Sequence, residues 1–159
     1  MHRKSPIAVD FDGTIVTHEY PKCGQLVPGV VPTIKALQAN GHKVFLWTMR
    51  SWNPKNPGVL EDAVIFCEDA GITFSGINQS PQQFSSSKKQ YASVYIDDAA
   101  AGCPLCYYKD FVVCDWMRVA QILKNREFIT SEQLTEIQND INKHYNDEGC
   151  AYQPYHCDS

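Results

Sequence analysis

The sequence predicts an α/β fold with a mainly parallel sheet, and three observations carry that expectation. Short apolar runs of β character alternate along the chain with stretches of helical spacing. Three of those runs end in a reactive polar residue, Asp10, Thr48 and Asp97. Ligands bind at such carboxyl ends of strands in open parallel sheets, so the three can share one cleft although they are far apart in the chain. The length, 159 residues, suits one domain able to bury roughly 68–70% of its unfolded surface.

The elements follow in order. Residues 7–11 form an apolar run ending at a carboxylate and broken by Asp12-Gly13-Thr14. Pro28-Gly29 precedes Val30, Val31, Ile34, Leu37 and Gln38, a set near helical spacing that Asn40-Gly41 stops. Residues 43–48 read as a second buried strand, and 53–58 as a Pro- and Asn-rich loop. Residues 59–70 read as a helix with Leu60, Ala63, Val64 and Cys67 on one face and Gly71 as its cap. A third strand is expected at 72–74, then a polar loop leading into a short helix over 81–90. A fourth strand at 93–96 ends at Asp97-Asp98, and a fifth is expected at 111–113. Helices begin at Asp115, running to Lys124, and at Thr130, running to about Tyr145. The second carries Leu134, Ile137 and Ile141 on one face, a stripe that reads as core rather than as a dimer seam. The last ten residues read as a surface tail.

Composition bounds the function. Hydrophobic residues make up 43% and charged residues 20%, which is ordinary for a globular protein. The formal charge of −4 argues against a dedicated nucleic-acid binder, although a local basic patch is compatible with it. No apolar run approaches the roughly 18 residues that a membrane span needs. Met1-His2-Arg3-Lys4 resembles the start of an export signal, but the apolar stretch behind it, Ile7 to Val9, is too short. The cytoplasm is therefore the expected compartment, with the seven cysteines as reduced thiols. Cys103-Pro-Leu-Cys106 and Cys114 would need further ligands for zinc, from Cys150, His156 and Cys157, and only if the tail folds back. Packing as small apolar groups is the favoured reading of these cysteines.

Asp10-Phe11-Asp12-Gly13-Thr14 carries the chemistry. Two carboxylates two positions apart at a strand end can sit near one divalent cation, and Gly13 permits the chain reversal that follows. The stretch resembles the nucleophile motif of the haloacid dehalogenase (HAD) superfamily of phosphotransferases. That superfamily's other motifs are matched in order by Thr48, by Lys88 or Lys89, and by Asp97-Asp98. Lys89 is favoured by its distance of eight residues from Asp97. Leu46-Trp47-Thr48-Met49-Arg50, Pro28-Gly29 and Asp115-Trp116 narrow the likeness to small capless HAD phosphatases of bacteria and phages. The similarity spans roughly residues 6–124. Ala99-Ala100-Ala101 departs from it where relatives often place a basic or polar residue.

The resemblance implies a Rossmannoid three-layer sandwich with a minimal flap between Gly13 and Val27, where His18, Glu19 and Tyr20 stand in reach of substrate. It implies a catalytic domain over 1–124, with 125–159 as a helical extension and tail packed on it. Asp10 would be the nucleophile and Asp12 the general acid and base. Thr48 would orient a phosphoryl oxygen and Lys89 would neutralise charge. Thr48, Met49 and Arg50 would touch substrate, Arg50 either clamping a phosphate or making a surface salt bridge. Mg²⁺ would be held by Asp10, the Asp12 backbone carbonyl, and Asp97 or Asp98. The expected activity is Mg²⁺-dependent phosphomonoester hydrolysis of a phosphorylated small molecule or nucleotide, by a monomer or a homo-oligomer. A 5′-nucleotidase or polynucleotide-end phosphatase is the alternative within enzymes. A phosphate-binding or regulatory module is the alternative outside them.

Overall fold

The computed structural model describes residues 4–79 and 87–156. In chain order the elements are β1 (Pro6–Val9), α1 (Val30–Ala39), β2 (Lys43–Leu46), α2 (Val59–Asp69) and β3 (Val94–Ile96). There follow β4 (Leu105–Tyr108), β5 (Phe111–Cys114), α3 (Trp116–Asn125), α4 (Ser131–Asp147) and β6 (Gln153–Pro154). The fold is mixed α/β. One sheet is parallel with order β2-β1-β3, and Ile7 lies opposite both Val44 and Val94. The chain leaves β1 for one neighbour and later returns to its other side. The strand order thus reverses at β1, the topology that opens a crevice beyond the strand ends. Ile7, Ala8, Val9, Val44, Phe45 and Leu46 are all buried, so β1 and β2 are covered on both faces. This is why they read as unbroken apolar runs rather than as an alternation.

The second sheet corrects the expectation of a mainly parallel one. Its order is β5-β4-β6, and both pairings are antiparallel. The strand expected at 111–113 is the return limb of a hairpin whose first limb, β4, went unrecognised. Its turn, Lys109-Asp110, lacks the glycine that marks tight hairpins, yet Lys109 takes a φ of 52°. No strand forms at 72–74. Instead the chain runs along the outer edge of β2 a few residues later. The Ser75 N–H donates to the Val44 carbonyl (2.8 Å), and the Leu46 N–H to the Gly76 carbonyl (3.0 Å). Asn78 N–H donates to Leu46 (2.8 Å), and Ile77 makes a single parallel bridge there. Of the expected loop and short helix over 81–90, residues 81–86 lie outside the described residues, and 87–90 form a turn rather than a helix.

The tail is docked as far as residue 156. β6 adds to the free edge of β4, the Tyr155 N–H donates to the Leu105 carbonyl (2.8 Å), and the Tyr152 hydroxyl to the Asp115 carboxylate (2.6 Å). Helices α1, α3 and α4 pack on one another. The α4 stripe Leu134, Ile137, Ile141 and Tyr145 is buried in that packing. Thr130 and Gln133 form a reciprocal capping box at the start of α4, and the Gln133 amide pairs with the Asn40 amide at the end of α1. Among the described residues no helix is long and apolar enough to cross a membrane.

Candidate functional site

Backbone pairing carries three strand ends to one level. Beyond the strands proper, the Asp10 N–H donates to the Ile96 carbonyl (2.9 Å) and the Trp47 N–H to the Val9 carbonyl (2.8 Å). Asp10, Thr48, Asp97 and Asp98 therefore emerge together at the crevice. Carboxylate oxygens of Asp10, Asp97 and Asp98 lie within 4.8 Å of one another. Thr14 organises the cluster. Its hydroxyl faces the carboxylates of Asp98 (3.2 Å) and Asp10 (3.4 Å) and accepts from the Asp98 N–H (3.0 Å). Its carbonyl accepts from the buried Trp116 indole (2.9 Å). Gly13, at φ 81°, lies so close to Asp98 that a Cβ there would stand 2.3 Å from a carboxylate oxygen. Only glycine fits that turn.

The cluster is electrostatically strained. Burial, then the neighbouring Asp97 carboxylate, push the Asp10 carboxyl up to about 7, against a backbone hydrogen bond from Phe11. Burial also raises Asp98, with the Asp97 charge adding to it and the Thr14 bond opposing. Crowded hard oxygen donors fit a divalent cation such as Mg²⁺ or Mn²⁺, without selecting between them.

Asp12 stands apart from this group. Its carboxylate is held by both faces of the Arg50 fork, Nε to Oδ2 and Nη2 to Oδ1, each at 2.8 Å. The remaining guanidinium protons go to the carbonyls of Pro21 (3.1 Å), Val59 (3.0 Å) and Lys22 (2.8 Å). All five N–H donors are taken, and the side chain is 1% exposed. The guanidinium also lies over the Phe11 ring (4.8 Å) and the Tyr20 ring (5.3 Å). The expected surface salt bridge is thus a buried one. Arg50 lines the cleft, yet in this arrangement it has no proton left for a phosphate oxygen; it holds Asp12 and the flap instead.

One cleft of about 470 Å³ is walled by Asp10, Asp12, Thr48, Arg50, Asp97 and Asp98, with His18 and Tyr20 from the flap and Met49 at the rim. Met49 is 95% exposed. Glu19 accepts from the Thr17 hydroxyl (2.7 Å), within the flap itself. The flap is closed by the Thr17 N–H donating to the Gln25 carbonyl (2.9 Å), and Gly24 presses so tightly on Thr17 that a Cβ would meet its carbonyl at 2.1 Å. Lys89 lies in an adjoining hollow that shares Asp10 and Asp97 as walls, with its ammonium over the Tyr95 ring (5.2 Å). Among the described residues it makes no ion pair, and Lys88 is exposed. Two residues of the site carried no role in the sequence reading. Thr14 was part of the motif, and its hydroxyl was the available signal. Asn78 accepts from the Thr48 N–H (2.8 Å) and donates to the Arg50 carbonyl (3.2 Å), fixing the loop that presents both. Nothing local marks it. The cysteines bring no zinc set together. Cys103 and Cys114 are adjacent, but Asp10, Asp97 and Asp98 are the one group of three metal-type side chains among the described residues, which do not include Cys157.

No family model and no curated protein match the chain. A solved structure of a conserved protein coded by a locus of Bacteroides thetaiotaomicron does match it, at 31% sequence identity and a TM-score of 0.61. The match covers 83% of this chain and 98% of that one. Identity of that order over nearly all of the other protein shows common descent, and the chain belongs to the same family as that conserved Bacteroides protein.

Proposed function

We propose that the protein is a Mg²⁺-dependent phosphomonoesterase of the HAD type, with a three-layer sandwich and an uncapped cleft. The observation that carries the reading is the convergence of Asp10, Asp12, Thr48, Asp97 and Asp98 on one cleft at the reversal of strand order. Burial of β1 and β2 on both faces supports the layered architecture. Asp10, Asp97 and Asp98 would hold the cation, together with the Asp12 backbone carbonyl. When bound, the cation supplies positive charge that keeps Asp10 ionised and offsets its repulsion from the phosphoryl group. Asp10 then attacks phosphorus and forms an aspartyl-phosphate. The Thr48 hydroxyl holds a phosphoryl oxygen, and Asp12, positioned by Arg50, serves the leaving oxygen and the incoming water. Lys89 enters from the adjoining hollow to neutralise charge. Exposed Tyr20 and Met49 at the mouth offer apolar surface to a leaving group, which favours a nucleotide over a sugar phosphate.

The test is phosphate release from an aryl phosphate and from panels of nucleotides and sugar phosphates, with and without Mg²⁺, for the native protein and for Asp10→Asn. Metal-dependent release abolished by the substitution is expected. Mg²⁺ binding without turnover on any panel would turn the reading to a phosphate-binding module.

A further inference from the structure

We propose that Cys103 and Cys114 are a thiol pair that hydroperoxides convert to an internal disulfide. Their sulfurs lie 3.6 Å apart. The two thiols differ in access. Cys114, at the end of β5, is fully buried. Cys103 is half-buried and lines an open groove of about 240 Å³ between β3 and α3, walled by Val94, Ile96, Val119 and Leu123. A small peroxide reaches Cys103 through that groove and does not reach Cys114. The sulfur of the third nearby cysteine, Cys106, makes other contacts, with the Tyr145 hydroxyl (3.7 Å) and the Cys114 carbonyl (4.0 Å). One thiol therefore meets the oxidant and one buried thiol waits beside it.

The chemistry balances. At Cys103 a sulfur–oxygen bond forms as the peroxide O–O bond breaks, giving a sulfenic acid and releasing water or an alcohol. The Cys114 sulfur then attacks the Cys103 sulfur. The disulfide forms, and the sulfenic oxygen leaves as water with the Cys114 proton. Two thiols are oxidised by two electrons and one peroxide is reduced. Closing the bond brings the sulfurs to about 2.05 Å. The bridge would join two segments anchored at the acidic cluster. The Cys103 N–H bonds the Ala100 carbonyl and the Ala100 N–H bonds Asp97 (2.9 and 3.0 Å), while the Cys114 N–H bonds Gly13 (2.9 Å). This pair stands independently of the phosphatase reading, because it rests on the distance between the two sulfurs and their unequal access.

The test is direct. The folded, reduced protein is treated with hydrogen peroxide, its remaining thiols are alkylated under denaturing conditions, and it is digested with trypsin. Cleavage after Lys89, Lys109 and Arg118 separates residues 90–109 from 110–118. The expected product joins these two peptides, with fragmentation locating the bond at Cys103 and Cys114. It disappears in Cys103→Ser and on treatment with dithiothreitol. Alkylated Cys114 beside a Cys103 that is still reduced, or that has gone on to sulfinic acid, would overturn the proposal. So would a bond through Cys106.

Discussion

Asp10 and Asp12 are separated by one residue, and their surroundings are opposite. Asp10 is buried and gathered with two further carboxylates, so desolvation first and then repulsion from Asp97 raise its carboxyl to about 7. Asp12 meets a buried guanidinium that gives it two hydrogen bonds and has no other anion to serve. The first sets like charges against one another. The second is balanced within the chain. Strand alternation alone would put positions 10 and 12 on one face, but β1 ends at Val9 and the chain turns through Gly13, so one short motif supplies both environments. A repulsive cluster and a balanced pair can be told apart by what each loses when a partner is removed.

Arg50→Ala strikes the balanced side and should have the largest effect. It leaves Asp12 unpaired at 13% exposure and strips donors from three carbonyls. Removing one partner of a buried ion pair costs about 3–5 kcal/mol, read as a drop in urea midpoint. A loss within 0.5 kcal/mol would mean that the flap is not held by this residue.

Asp10→Asn strikes the repulsive side and should act in the opposite direction. Between about pH 4 and 7 the folded, metal-free protein holds an Asp10 proton that the unfolded chain has released. The unfolded state thus binds fewer protons, and stability falls as pH rises through that window and levels above it. Asp98, also raised, works with the same sign. The substitution removes the Asp10 part of the slope, so the metal-free variant should exceed the native protein at pH 8 by on the order of 3 kcal/mol and approach it near pH 4. Parallel unfolding curves at pH 4.5 and 8 in a chelator check this; a native protein no less stable at pH 8 would contradict it.

Thr14→Val is the smallest of the three. It removes the hydroxyl between Asp10 and Asp98 and leaves the Asp98 N–H without its acceptor, at a cost of about 1–2 kcal/mol by denaturant titration. If stability were unchanged, the cluster would owe its shape to Gly13 and the backbone rather than to the hydroxyl.

Much of the architecture was legible because it is local. The apolar runs of β1 and β2, the helical spacing of α1 and α2 and the caps of α3 and α4 each lie within a few residues, and each formed where expected within a residue or two. The strand at 72–74 was misplaced because a short edge segment with few apolar residues leaves little pattern. β4 is not legible because it is short and its turn carries no glycine. No strand is legible in the tail because β6 is only two residues long and owes its conformation to the edge of β4.

The sequence by itself determined which residues stand at the strand ends and that three of these ends carry oxygen-bearing side chains. Apolar runs end where the chain surfaces, and that is written locally. Only the tertiary structure decided how the charges are shared. The Asp12–Arg50 pair spans 38 positions, and the contact from Thr14 to Asp98 spans 84. Whether a carboxylate meets a guanidinium or another carboxylate depends on which distant segments the sheet order brings beside it, and no local pattern encodes that.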